Sequence, residues 1–494
     1  MSGPDGTPSM SAPDGTDGMS GTDTPDGGLG HVHFIGIGGA GMSAIARILL
    51  ARGIPVSGSD AKDSPGLREL AALGAGIRLG HSASAVAGAD TVVISSAIRE
   101  SNPELAAART GGLRVLHRSQ ALAAAMAGDD VVAVAGTHGK TTTTAMIAVL
   151  LRGAGLDPSF AIGGTVPALG VNAAHGSSAI FVAEADESDG SFLNYRPRIA
   201  VVTNIEADHL DHYGTAGAVY AAFDEFADLL PAGGLLVACA DDAGSLALAT
   251  RVLDGGGRAV LYGSSEAADV RLMPARRSEE LGSSGTVRVR SAAGEAAVEL
   301  RLAVPGEHNR RNAAAALAVA LELGVPAGPA AAALAGFTGA ARRFEAKGSA
   351  GGVRVFDDYA HHPTEVLAAL RAARAVAGSG RVHVLFQPHL FSRTLAFAAE
   401  FARALELADS VAVLDIYPAR EDPVEGVSSA LITARLPRRP GHVEDPAEAV
   451  RWLAAAAEPG DIILTVGAGD VTAYGPALIG ALAARDNGGG DRGL

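Results

Sequence analysis

Residues Val131–Thr144 read VVAVAGTHGKTTTT. Five small apolar residues in a row predict a buried parallel strand, because a strand covered on both faces shows no alternation. Gly136–Gly139 then turns the chain, and Lys140 with four threonines leads into an apolar helical pattern. Strand, glycine turn and helix start together build an anion site. The first N–H groups of the helix have no intrahelical acceptor, and the positive end of the helix dipole points at the same spot. Lys140 adds a mobile charge for terminal phosphates, and Thr141 offers a hydroxyl for Mg²⁺. Only Thr137 and His138 separate Gly136 from Gly139, so the loop is shorter than the general phosphate loop, with its four intervening residues. The chain has three lysines, Lys62, Lys140 and Lys347, among 39 basic residues. One of the three stands at this turn.

The whole chain sets the frame for that site. Its 494 residues suggest three domains at a prior of about 150 residues each. Apolar residues make up 48%, enough for sizeable cores. The net charge is −15 with no run of Lys or Arg, which argues against a nucleic-acid partner, since phosphate backbones need clustered cations. The single cysteine, Cys239, excludes a disulfide framework and fits the reducing cytoplasm. Residues 1–28 are rich in Gly, Ser, Asp, Thr and Pro, without Lys or Arg. They read as a disordered leader rather than a signal peptide, and 486–494 as a disordered tail. No stretch of 18 uninterrupted apolar residues occurs, so membrane insertion is not expected.

Before the phosphate loop comes His33–Met42, HFIGIGGAGM. A short apolar strand runs into Gly36-x-Gly38-x-x-Gly41 and a helix, Met42–Arg52. A second strand, Pro55–Ser59, ends at Asp60, nineteen residues past Gly41. Alone this is the dinucleotide fingerprint, with glycines for close diphosphate approach and an acid for a ribose hydroxyl. Thr91–Ala97 and Leu113–Leu116 read as further strands, with Glu104–Arg109 as a helix between them, completing one doubly wound domain.

After the phosphate loop, strand Ser178–Glu184 delivers Glu184, Asp186, Glu187 and Asp189 at its C-terminal end. Strand Ile199–Ile205 delivers Glu206, Asp208, His209, Asp211 and His212. Carboxylates at strand ends suit Mg²⁺, a hard cation that keeps phosphate and water in its shell. Zinc at His209 and His212 is the weaker alternative, with no cysteine nearby. Gly285–Arg290 and Ala297–Leu302 alternate as an antiparallel edge should. Asn309 and Asn312, three apart, share a face at the start of the alanine helix Ala313–Leu323; they suit a helix cap or a purine edge. From Phe337 onward, strands Val353–Asp357, Arg381–Phe386, Ser410–Ile416 and Asp461–Val466 alternate with helices. Each ends in polar residues, predicting a third α/β domain with a functional rim of loops.

HFIGIGGAGM, AGTHGKTTT, EADESDGSF, TNIEADHLDHY, GEHNRRNAAAA, RRFE, DDYAHHPTE, FQPHLFSRT and GAGD follow one another in this order. Together they resemble the Mur ligase family over about residues 31–480. The resemblance implies an α/β fold of three domains. These are an N-terminal Rossmann-like UDP-binding domain (29–125), a central P-loop ATPase-like mixed-sheet domain (126–336) and a C-terminal Rossmann-like α/β domain for the amino acid (337–485). It implies an ATP-dependent ligase that activates the lactyl carboxylate of UDP-N-acetylmuramate as an acyl phosphate and joins it to L-alanine, in cytoplasmic peptidoglycan precursor synthesis. A homodimer is left open.

By the same resemblance, Gly36, Gly38, Gly39, Gly41, Met42, Asp60, Ser95 and Ser96 would hold the UDP-sugar. Gly136, Thr137, His138, Gly139, Lys140, Thr141 and Thr142 would hold the ATP phosphates, Asn309 the adenine and Asp358 the ribose. Thr141, Glu184 and His209 would hold Mg²⁺. Tyr359, His361 and Arg393 would position alanine, and Arg343 would face the sugar-linked carboxylate or the γ-phosphate. Several related ligases carry a carbamylated lysine after the DHLD-type motif. Tyr213–Phe226 contains no lysine, which favours the alanine-adding branch. Leu390 stands where some members have arginine. Single motifs leave three other readings: an NAD-dependent dehydrogenase from Gly36–Gly41 and Asp60, a nucleotide-gated binding protein, and a sister ligase that adds a preformed peptide during wall recycling.

Overall fold

The computed structural model describes residues 28–275, 281–291, 294–419, 421–436, 443 and 445–488. The leader up to residue 27 and residues 489–494 of the expected tail lie outside them. Three separate sheets organise the described residues.

The first sheet has five parallel strands in the order Gly76–Leu79, Val56–Asp60, Val32–Ile35, Thr91–Ile94, Arg114–His117. Its central strand, Val32–Ile35, is fully buried and feeds the glycine turn and helix Ala40–Ala51. The helix Pro65–Ala72 and the strand Gly76–Leu79 extend the domain beyond the sequence reading.

The second sheet has ten strands. Asp130–Ala135 lies inside it, parallel to Ile180–Glu184 on one side and Ile199–Val202 on the other. Leu235–Cys239, Arg258–Gly263 and Val270–Leu272 continue the parallel run. The hairpin Ser283–Ser291 and Gly294–Leu302 then closes that edge antiparallel, as the alternating pattern predicted. Burial on both faces explains the unbroken apolar run from Val131 to Ala135 within strand Asp130–Ala135. Helix Lys140–Gly153 packs against the alanine-rich helix Glu307–Glu322, whose residues Ala313–Ala320 are all buried. A Cβ added at Gly153 would stand 2.9 Å from that of Ala333 on the next helix, Ala327–Leu334, so small residues set the close approach of that helix.

The third sheet runs Glu345–Ala350, Val353–Asp358, Ile462–Val466, Val382–Phe386, Ser410–Val413. All are parallel except the edge strand Glu345–Ala350. The last parallel strand in sequence thus inserts between the first two, bringing the GAGD turn beside the strand that ends at Asp358. Helix Tyr474–Gly488 closes the described chain. Among the described residues no helix is long and apolar enough to cross a membrane.

Candidate active site

The phosphate loop forms as its residues require. Gly136 has φ +129°, and a Cβ there would lie 2.1 Å from Thr203 Oγ1. Gly139 has φ +84° and is the N-cap of helix Lys140–Gly153. Only glycine takes up both the conformation and the space. The neighbouring strand locks the loop: Thr137 N donates to Asn204 O (3.1 Å), and His138 N to Asn204 Oδ1 (2.9 Å).

Lys140 folds back over this loop. Its Nζ donates to Gly136 O (2.8 Å) and lies 2.9 Å from Glu187 Oε1. Burial disfavours the ammonium, but Glu187 and Asp186 outweigh that and raise its pKa. Burial raises the Glu187 carboxyl. Thr141 Oγ1 donates to Glu184 Oε1 (3.0 Å), whose other oxygen accepts from Gly163 N (2.7 Å). His209 sits in the left-handed region at φ 54°, with Nε2 3.6 Å from Glu187 Oε1 and 3.8 Å from Asp208 Oδ2. A hydroxyl, a carboxylate and one imidazole around a P-loop helix start fit a hard divalent cation beside phosphates.

A cleft of about 520 Å³ brings Gly41 and Arg118 of the first domain to Lys140, Thr141, Glu184 and His209 of the second, and to Arg343, Tyr359 and His361 of the third. Arg118 ties the first two domains through Asp186 (2.8 Å); sequence reasoning missed it, because nothing near Arg118 marks it. A second cleft of about 260 Å³ holds His138, Thr142, Asn309, Asn312, Tyr262 and Asp358. Gly139, Arg343 and Glu365 border both clefts. Asn309 is no cap: it lies inside helix Glu307–Glu322, where its Nδ2 donates to Pro305 O (2.7 Å).

Positive charge near the larger cleft comes from Lys140, Arg118, Arg342 and Arg343. Arg343 lies 5.4 Å from the Tyr359 ring centroid and 3.4 Å from Glu365 Oε1. His361 adds none, because burial lowers its pKa to about 3.

Other residues have different immediate partners. Asp60 Oδ2 accepts from Gly38 N (2.9 Å), so the acid braces the glycine turn. The Met42 side chain is buried in the core, while Ser95 is half-buried and Ser96 exposed on the same rim. Arg393 is buried in the first turn of helix Phe391–Leu405 and pairs with Asp208 across the seam between the second and third domains (3.2 Å). It holds the Asp208 carboxyl well below the usual range despite burial. Phe223, near the place of the related ligases' lysine, is buried against Phe192.

Both Asp358 oxygens accept backbone N–H groups, from Phe344 (2.9 Å) and Ala360 (2.8 Å), yet burial pushes the carboxyl up to about 6. A raised carboxyl pKa stabilises the fold while protonated, and that contribution is lost as pH rises from 3.8 through about 6. Asp358→Asn should flatten this part of the stability profile, read by denaturant unfolding on both sides of pH 6. An unchanged slope would refute the assignment.

Of the five non-glycine residues with positive φ among those described, His209, Arg342, Phe344 and Leu390 stand at the junction of the second and third domains. Strain of this kind persists where surrounding contacts over-determine the backbone. Arg342 shows such contacts, reaching Gly467 O (2.6 Å) and Asp357 Oδ2 (3.2 Å).

Three family models match in sequence: Mur ligase family, catalytic domain, at residues 31–129; Mur ligase middle domain, at 134–320; and Mur ligase, glutamate ligase domain, at 342–469. The UDP-N-acetylmuramate–L-alanine ligase of Renibacterium salmoninarum is 68% identical over 458 residues, 92% of this chain and 96% of the relative. That of Paenarthrobacter aurescens is 65% identical over 455 residues, 92% and 97% of the two chains. Among solved structures, the UDP-N-acetylmuramate-alanine ligase MurC of Thermotoga maritima superposes with a TM-score of 0.74 at 29% identity, over 92% of this chain and 99% of the other. A murein peptide ligase from Psychrobacter arcticus gives 0.65 at 25% identity, over 92% and 98%. The three sheets, the short phosphate loop and the strand-end carboxylates thus coincide with these matches, and the chain belongs to the Mur ligase family.

Proposed function

We propose that the chain joins L-alanine to the lactyl carboxylate of UDP-N-acetylmuramate at the expense of ATP, releasing ADP and phosphate, in cytoplasmic peptidoglycan precursor synthesis. The observation that carries this reading is the shared border of the two clefts. Gly139 and Arg343 face both, as a γ-phosphoryl passing from nucleotide to acceptor requires. ATP supplies the phosphoryl group that turns an unreactive carboxylate into an acyl phosphate, and Mg²⁺ supplies charge neutralisation.

The chain's own residues do the rest. Lys140 and the N–H groups of the first helical turn hold the terminal phosphates. Asn309 and Asn312, beside Tyr262, line the smaller cleft as an adenine site, and Asp358 borders the ribose. Thr141, Glu184 and His209 hold the metal. Arg343 neutralises the carboxylate being activated. Tyr359 and His361 line the alanine side, where an uncharged imidazole leaves the incoming amine unrepelled. Gly36–Met42, with Asp60 bracing the turn and Ser95 and Ser96 on the same rim, receives the UDP-sugar. Domain boundaries near 125 and 336 belong to the same reading, and the division of the described strands into three sheets supports them.

The test is phosphate release from ATP with UDP-N-acetylmuramate across single amino acids and L-Ala-D-Glu-diaminopimelate. L-Alanine should support turnover and the tripeptide should not. Tripeptide-dependent release would move the chain to the recycling branch. Calorimetry of the full chain should show UDP-N-acetylmuramate binding and none of NAD; the reverse would overturn the role of the first domain.

A further inference from the structure

His138 closes the turn of the phosphate loop, Glu206 follows the neighbouring strand, and His362 stands at the start of helix Pro363–Ala377 in the third domain. Nε2 of His138 lies 3.1 Å from Nδ1 of His362 and 3.6 Å from Oε2 of Glu206, and that oxygen lies 3.8 Å from Nδ1 of His362. The three atoms form a triangle with edges near those of a tetrahedral zinc shell, about 3.4 Å for bonds of about 2.0–2.1 Å. We propose that His138, Glu206 and His362 form a second metal site, distinct from the Mg²⁺ site at Thr141, Glu184 and His209, that takes a borderline divalent ion of the zinc type and ties the third domain to the phosphate loop.

Two further contacts support this site. Glu365 Oε1 lies 3.5 Å from His138 Nδ1, the far nitrogen of that ring. A carboxylate behind a ligating imidazole fixes its tautomer and orientation. The Thr364 hydroxyl donates to Glu206 Oε2 (2.8 Å) and aims the carboxylate inward. The His362 ring packs edge-on against Phe397, and its Nε2 is buried without a partner. Nδ1, facing His138 and Glu206, is therefore the ring's one engaged polar atom. A simple hydrogen bond between two rings needs neither Glu206 near both nitrogens nor Glu365 behind one of them. Two imidazoles and one carboxylate suit Zn²⁺, Co²⁺ or Ni²⁺ better than Mg²⁺. The Glu206 side chain is 31% exposed, which leaves an entry path and a fourth position for water.

The test uses the full chain, stripped with a chelator and held in excess Mg²⁺. It is titrated with Co²⁺, followed by visible absorption, and with Zn²⁺ by calorimetry. One ion per chain should bind with the intense absorption of tetrahedral cobalt. His362→Gln and Glu206→Gln should each abolish it, Glu365→Gln should weaken affinity about 10- to 100-fold, and His209→Ala should retain it. Circular dichroism of the metal-free variants checks folding. If His362→Gln does not fold, Glu206→Gln, with its half-buried side chain, decides alone. Absence of the tetrahedral spectrum in the parent chain, its survival in Glu206→Gln, or its loss in His209→Ala would overturn the proposal.

Discussion

Lys140→Ala lowers turnover by about 10²–10³-fold or more, the scale at which a preorganised charge at a reacting anion is felt. Lys140 is also the buried partner of Glu187, whose side chain is 2% exposed. Removing one member of such a pair leaves an uncompensated charge, worth about 3–5 kcal/mol while the carboxylate stays ionised. Glu187 already has a raised pKa from burial, and loss of the ammonium raises it further. A raised carboxyl pKa favours the fold at low pH and loses that contribution as pH rises. The variant should therefore fall further behind the parent in stability as pH rises above the ordinary carboxylate range. Single-turnover phosphate release and thermal melts across pH measure the two effects. Near-normal turnover would remove Lys140 from the phosphate site.

Arg393→Ala should raise the apparent KM for L-alanine roughly 10- to 100-fold, the scale of hydrogen bonds to a charged group. The KM values for ATP and UDP-N-acetylmuramate should change far less. Alanine offers a methyl, an amine and a carboxylate. A methyl discriminates by only about 1–3 kcal/mol, so the carboxylate must carry much of the grip. Arg393 uses one end of its fork on Asp208, but its Nε is buried without an acceptor. Unsatisfied buried donors are rare and ask for a ligand or a mechanical reason. Because Asp208 would be stranded in the single variant, Arg393→Ala with Asp208→Asn separates the two roles. The double variant should recover stability and keep the high alanine KM. Unchanged alanine KM in both would shift the carboxylate to Arg343 or His361, which line the larger cleft.

The core of the site was legible because its parts are local. Strand, Gly136–Gly139, Lys140 and Thr141 occupy a dozen consecutive residues, and Glu184 and His209 follow the two strands that flank that one in its sheet. The seam was not legible. His138 meets His362 across 224 residues and Arg393 meets Asp208 across 185, separations at which sequence carries no distance information. Asp60 shows a subtler limit. A carboxylate nineteen residues past a glycine turn suits a ribose, yet here it bonds the turn itself, and spacing alone does not tell these apart. The strand Glu345–Ala350 escaped notice because, as an exposed edge, it carries no apolar alternation.

The placement of Asp130–Ala135 inside its sheet has a consequence for synthesis on the ribosome. The first sheet can be completed once His117 has emerged, so that domain can assemble early. The phosphate-loop strand has no such freedom. Its partners end at Glu184 and Val202, and the outermost strand of its sheet ends at Leu302. At about 5–20 residues per second, the nascent strand waits several seconds for its first neighbour and longer for the finished edge. During that interval the apolar residues from Val131 to Ala135 are exposed to other chains, so chaperone capture and aggregation should concentrate on intermediates between Ala135 and Leu302.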